Sequence, residues 1–405
     1  MNQEELLKIL SMRKAYKILK QRQKQAIKLI PDLKERAKKL RKVREDSVGN
    51  YDLLQETINN LEENGIEVLF AQDAAKAIEL ILNKLDGENI VVKSKSNVTR
   101  EIRLKENLLE RGIKVIETDI GDRIIQILNE IPSHPTGPAS HLPVRLIAEK
   151  LSIYFGKHIE AKPEAIIKIV REDIMDHIKN ANVGISGANA ITKEGSIILL
   201  HNEGNIFEVI NRPKKWIIIT GIDKVYPSIE DAINAAKIQS FYATGVVVPS
   251  FIEIISGVTK TADIEKKLVK GINNPKEVVL ILLDNQRRLL IENGFKELFY
   301  CIGCGNCVIN CPAHNTYGNK FRGGRFSLYS ALYDGKDPLK LCLSCGKCKK
   351  NCPLNIDIPG IIKKVRRGSE LYNFIISHLQ WLINTAQIKS LALYYALIHK
   401  ENLGE

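Results

Sequence analysis

The sequence predicts an α/β fold, a domain built on a largely parallel sheet, preceded by basic helices and followed by a small cysteine-rich module. Three observations lead there. From Gly65 onward short apolar runs alternate with stretches of helical period, all eight cysteines of the 405 residues fall between positions 301 and 352, and positive charge gathers at the two ends. Residues 1–50 carry 15 basic and 6 acidic side chains, net +9, and residues 301–405 carry 14 and 6, net +8. The middle is therefore mildly acidic, at −4 of a total of +13. A chain that is 44% hydrophobic and 26% charged is neither disordered nor collagen-like, and it has length for two or three domains. Its core can be large enough to stand without a structural metal or disulfide, so a metal site in it points to function.

Residues 1–64 form the first unit. Leu6, Ile9, Leu10, Tyr16, Ile18, Leu19, Ile27, Leu29 and Ile30 recur among Lys and Arg with a break at Pro31, which reads as two amphipathic helices. Such a charge run is more often a solvated or partner-facing surface than a nucleic-acid arm, and a helix-turn-helix or aromatic platform is not evident, so nucleic acid is disfavoured.

Residues 65–294 read as the α/β domain. Strands are predicted at 66–71, 90–93, 113–117, 181–186, 196–200, 216–220, 246–255 and 278–283, and helices at 74–84, 98–112, 143–154, 163–179 and 229–240. Alternation of this kind argues a parallel sheet whose ligand lies beyond the carboxyl ends of the strands. Polar residues cluster at those ends: Lys93 to Ser96, Asn202 to Asn205, Gly221 to Lys224, Asp284 to Arg287, and Ser133-His134 in a Pro-rich loop. Lys93, His134, Glu203 and Arg287 are the candidate catalytic residues, because basic groups, hydroxyls and a Gly turn suit a carboxylate or phosphate. Taken singly, each is explained as well by capping and turn formation.

Residues 295–365 hold the strongest signal. Cys301, Cys304, Cys307 and Cys311 precede Pro312, and Cys342, Cys345, Cys348 and Cys352 precede Pro353; both runs read C-x2-C-x2-C-x3-C-P. Three thiolates at these gaps wrap one cubane while the fourth reaches the other. The expected ligand sets are Cys301, Cys304, Cys307 and Cys352 for one [4Fe-4S] cluster, and Cys342, Cys345, Cys348 and Cys311 for the second. Zinc explains neither the third cysteine nor the proline, and disulfides do not suit a start that lacks a signal peptide and reads as an intracellular helix. Two such clusters lie close together and pass single electrons. Lys347, Lys349 and Lys350 make the second the expected higher-potential one, since positive charge stabilises a reduced cluster. The chain shows no G-x-G-x-x-G fingerprint, and no NAD or flavin site is evident.

Residues 366–405 read as a helical extension. Within it residues 371–388 carry an apolar face of Phe374, Ile375, Leu379, Leu382 and Ile383, but too many polar groups for a spanning helix. The start lacks a basic n-region followed by an apolar h-region. A cytoplasmic protein is expected, with peripheral contact at the inner face of the membrane as the alternative.

Lys93-Ser94-Lys95-Ser96, Glu117-Thr118-Asp119-Ile120-Gly121, Pro132-Ser133-His134, Gly187-Ala188-Asn189, Asn202-Glu203-Gly204-Asn205, Gly221-Ile222-Asp223-Lys224 and the paired cysteine runs, in this order, resemble the lactate-utilization protein B family. The resemblance implies a LUD-type sheet related to ribose-5-phosphate isomerase and CoA-transferase folds, followed by an α-helical ferredoxin domain. It also implies an electron-transfer subunit of a complex oxidising L-lactate to pyruvate. The implied partners are a subunit with a Cys-rich motif, a second LUD-domain subunit and an electron acceptor. A different reading makes the α/β domain a CoA-transferase-like or phosphate-ester enzyme with Glu203 as carboxylate nucleophile.

Overall fold

The computed structural model describes residues 3–257, 260–262, 268–270, 274–333 and 338–366. The expected apolar face within 371–388 lies outside them.

Six strands form one parallel sheet. They are β1 (Glu67–Ala71), β2 (Ile90–Lys93), β3 (Lys114–Glu117), β4 (Val183–Gly187), β7 (Lys215–Gly221) and β12 (Glu277–Leu283), in the order β1-β12-β7-β4-β2-β3. Between them in sequence, β5 (Ala190–Thr192), β6 (Ile197–His201), β8 (Val225–Tyr226) and β9 (Phe251–Ile255) make a second sheet, β8-β5-β6-β9. A third pairing joins β10 (Lys260–Ala262) to β11 (Leu268–Lys270). The central strands are buried on both faces, as a parallel sheet covered by helices requires. Ile217 and Ile219 pack one way, with Ile78 and Ile81 of the helix Ala74–Leu85, while Trp216 and Ile218 pack the other, with Leu54 and Leu61.

The predicted strands and helices are largely present, with several differences, among them the short strands β5, β8, β10 and β11, which have no counterpart in the prediction. The helix expected at 98–112 is two, Asn97–Glu101 and Leu104–Leu109, because Arg103 between them takes a left-handed φ of +50°. The strand expected from 246 begins at Phe251. Helices at Ile120–Leu128 and Asn205–Asn211 were not expected.

At the amino end stand α1 (Gln3–Ala26), α2 (Leu33–Ser47) and α3 (Tyr51–Glu63). The expectation of a solvated basic surface holds for only part of them. Leu33, Leu40 and Ala37 of α2 join Ala235, Ile238 and Phe241 of the helix Ile229–Thr244 in one core with Phe299, Leu328, Leu354 and Ile358, so α2 fastens the sheet to the cysteine-rich module. Arg44 is fully buried there, donating to the carbonyls of Val225 (3.0 Å), Phe299 (3.0 Å) and Asp223, its guanidinium 4.5 Å above the Tyr226 ring. Among the described residues no helix is long and apolar enough to cross a membrane.

Candidate functional site

The two cysteine runs fold alike because they place left-handed residues alike. Gly303 and Gly305 in the first run take φ of +76° and +74°, and Ser344 and Gly346, at the same offsets in the second, take +51° and +74°. Each bend turns a backbone N–H toward a sulfur: Gly303 N–H lies 3.3 Å from Cys301 Sγ and Ser344 N–H 3.4 Å from Cys342 Sγ. After the fourth cysteine of the first run, Pro312 opens a short helix at its first position, and Cys311 Sγ caps it, 3.5 Å from the His314 N–H.

The fourth cysteine of each run stands with the first three of the other. Cys311 lines a small cleft with Cys342, Cys345 and Cys348. Burial pushes up the thiols of Cys304 and Cys352, and the next-largest influences include Cys301 on both and Cys352 on Cys304. Burial likewise pushes Cys348 up to about 12, with Cys342, Cys311 and Cys345 as the thiols it feels. Thiols held protonated by burial ionise when a cationic group compensates them, which is the chemistry of a metal-cluster site. The backbone leaves room for one. A Cβ on Gly324 would stand 2.5 Å from Cys307 Sγ, and one on Gly323 would stand 3.3 Å from Cys311 Sγ. The thiols of the two runs therefore have the donor chemistry that an iron–sulfur site needs.

Beside the first run opens a cleft of about 310 Å³. Its floor is the carboxyl edge of the parallel sheet: Ser94 to Ser96 after β2, Gly187 at the end of β4 with Ala188 and Asn189 beyond it, Asp223 and Lys224 after β7, Arg287 after β12. The opposite wall comes from the cysteine-rich module, with Ile302, Gly303, Arg322, Arg325, Phe326 and Tyr329. Lys224 joins the walls, its Nζ 3.0 Å from Asp223 Oδ2 and 2.8 Å from the Cys301 carbonyl.

The four candidate residues separate. Lys93 is not among those lining the cleft; it is buried with Glu117 at 2.9 Å and donates to the Ser94 carbonyl. Arg287 lines the cleft as a structural anchor. It forks onto Glu101 at 2.8 and 2.9 Å and donates from Nε to Asp223 at 2.7 Å. Burial opposes ionisation of Asp223, but Lys224, Arg287 and Arg44 outweigh it and hold the carboxyl below its usual range. His134 also lines the cleft, with both ring nitrogens engaged. Nδ1 accepts from the N–H groups of Thr136 and Gly137, each at 3.2 Å, so on this network Nε2 carries the proton and donates to the Gly305 carbonyl at 3.2 Å. Burial lowers its pKa to about 3. His134 thus positions the first cysteine run against the Pro-rich loop. Glu203 stands at the mouth, accepting from the Ile120 N–H at 3.2 Å, its carboxyl raised to about 7 by burial and the nearby Asp119.

Sequence reasoning missed the module's wall of the cleft. Arg325 donates from Nε to the Leu298 carbonyl at 3.1 Å and lies 4.0 Å from the Tyr329 ring; its only sequence signal is the i, i+4 spacing after Gly323-Gly324. Also missed was His201, buried and paired through Nε2 with Glu253 at 2.9 Å. Two buried polar atoms on cleft residues, Ser94 Oγ and His201 Nδ1, have no hydrogen-bond partner among the described residues, so each is available to a polar ligand.

The LUD domain family matches residues 54–283 and the 4Fe-4S dicluster domain family matches 297–356. Lactate utilization protein B of Lysinibacillus sphaericus (strain C3-41) is 33% identical over 74% of this chain and 63% of its own length. Lactate utilization protein B 2 of Bacillus mycoides (strain KBAB4) is 31% identical over the same shares. This chain therefore spans under two thirds of those relatives' length. A crystal structure of a duf162 family protein from Deinococcus radiodurans aligns at 11% identity and a TM-score of 0.32, over 57% of this chain and 97% of that one.

Proposed function

The chain belongs to the LUD-domain family and carries a 4Fe-4S dicluster region, and from that premise we propose that it is the iron–sulfur electron-transfer subunit of a complex oxidising L-lactate or a related 2-hydroxy acid. In this reading Cys301, Cys304, Cys307 and Cys352 hold one [4Fe-4S] cluster, and Cys342, Cys345, Cys348 and Cys311 the other. The units are 1–64, 65–294, 295–365 and 366–405, and the place of work is the cytoplasm. When bound, each cluster supplies a one-electron carrier, so a pair matches the two electrons that leave a hydroxyl carbon as it becomes an oxo carbon.

The observation that carries the reading is the shared wall. Residues Ile302 and Gly303, inside the first cysteine run, line the same cleft as the polar carboxyl edge of the sheet. A small acid seated on that edge would lie against the first cluster's own loop. Lys224 fixes this juxtaposition by bonding both sides, and His134 does so from the Pro-rich loop. The names of the relatives supply the substrate class.

Anaerobic purification with co-purifying partners, followed by EPR during titration with L-lactate, D-lactate and glycolate, tests the proposal. Reduction of two cubane signals by L-lactate in the presence of partners is expected. Clusters that dithionite reduces but all three acids leave oxidised would sink the substrate. A second reading, acyl transfer through Glu203, draws on its place at the cleft mouth and its raised carboxyl. CoA-dependent activity abolished by Glu203→Gln would favour it, and absence of CoA binding would remove it.

A further inference from the structure

The two cysteine runs meet solvent differently. Cys304 and Cys311 are buried, and the first run faces the internal cleft. The second run comes to the surface at Leu343, Ser344 and Cys345, all exposed, with Leu343 showing 61% of its area. Around that tip positive charge dominates among the described residues. Residues 338–366 contain seven Lys and Arg and a single acidic residue, Asp357, which lies 3.4 Å from Lys349. Lys347 and Lys350 are exposed on one short helix and Lys363, Lys364 and Arg366 on the helix Ile358–Arg366. Arg366 braces the tip by donating to the Cys342 carbonyl at 2.8 Å and to Ser344 Oγ at 3.3 Å. The basic face continues onto α1, where burial and the charge of Lys347 lower the pKa of Lys20.

Resting on the reading of these cysteines as cluster ligands, we propose that the exposed tip of the second run is the docking site for an acidic protein electron carrier. Carboxylates of the carrier meet Lys347, Lys350, Lys363 and Lys364, and an apolar contact covers Leu343. Electron transfer needs brief, close and correctly oriented encounters, and opposite charge ringed around a small apolar centre supplies them through steering and fast association. A nucleic acid or anionic membrane would be served by any cationic face. A ring centred on an exposed cysteine of the cluster motif instead brings a partner's redox group to that cysteine.

The test uses the full chain purified anaerobically with its iron, and the variant Lys347→Gln/Lys350→Gln/Lys363→Gln/Lys364→Gln, with iron and labile sulfide per chain measured in both. Binding is read with an acidic plant-type [2Fe–2S] ferredoxin as probe at about 20 and 500 mM salt, where screening differs strongly. Reoxidation of the reduced protein is followed with ferricyanide and with hexaamminecobalt(III). Ferredoxin affinity is expected to fall ~10-fold or more in the variant and at high salt. Added salt should slow ferricyanide and speed hexaamminecobalt, and the variant should flatten both slopes. Lys168→Gln/Lys179→Gln, exposed on the helix Pro163–Asn180, should change neither reading. A variant with full iron and unchanged affinity and slopes overturns the proposal. So does wild-type protein that ignores ferredoxin while binding duplex DNA or phosphatidylglycerol vesicles through the same four lysines. Wild-type protein that holds no iron overturns the cluster reading, and this inference with it.

Discussion

Gly324 and Gly346 both take positive φ, but only one of them has a sulfur where its side chain would go. A Cβ on Gly324 meets Cys307 Sγ at 2.5 Å, whereas nothing lies within 4 Å of one on Gly346. If the proposed pair of clusters is bound, Gly324→Ala should therefore expel the one at the first site, taking iron from about eight to about four per chain. Gly346→Ala should keep the iron and cost about 1 kcal/mol of backbone strain; iron, sulfide and thermal-unfolding measurements separate the two. His134 adds a pH dependence. Its folded pKa of about 3 lies below the unfolded value near 6.5, so the unfolded chain binds the extra proton, and the stability it confers is lost as pH falls from 6.5 toward 3. Between pH 6.5 and 5 that is on the order of 2 kcal/mol. Urea midpoints for wild type and His134→Gln should diverge by about that amount over the interval, and parallel curves would remove His134 as the cause. At this scale the cysteines were legible because their chemistry is written in local spacing. The separate fates of Lys93, Arg287 and His134 were not, because partners such as Glu117, Glu101 and Gly305 come from other segments.

Among the elements, α2 shows what periodicity can and cannot reveal. Its apolar positions mark a helix and a buried stripe, but nothing in a run of Lys and Arg singles out Arg44 as the one that goes inside. It does so because three carbonyls from β8, the turn before it and the start of the module converge there and need a donor. Arg44→Met should cost about 3–5 kcal/mol, since the packing volume survives while those carbonyls and the nearby Asp223 lose their partner. Hydrogen exchange should report faster opening around Phe299 and Val225 than around the β2–β3 pair, and uniform acceleration would count against α2 as a local fastening. The sheet's long strands were readable from apolar runs. Short β5 and β8 were not, since two or three residues carry no period. The break at Arg103 also escaped, because a left-handed Arg has no Gly or Pro to announce it.

For the whole molecule, the cleft and the exposed second run lie at opposite ends of one series: sheet edge, first cysteine run, second cysteine run, lysine-ringed surface. In the cleft Lys95 pairs with Asp119 and Lys224 with Asp223, which holds both cations in place. Removing the substrate's C–H hydrogen is another matter, because it takes two electrons at once and each cubane accepts one. The purified chain, loaded with iron but without partners, should therefore keep its EPR spectrum unchanged on addition of L-lactate while dithionite reduces both signals. On the proposed reading, pyruvate should form only when partner proteins are added. Rapid bleaching of the isolated protein by L-lactate would move the bond-breaking step into this chain's own cleft, and the unpartnered atoms of Ser94 and His201 would be the first positions to substitute.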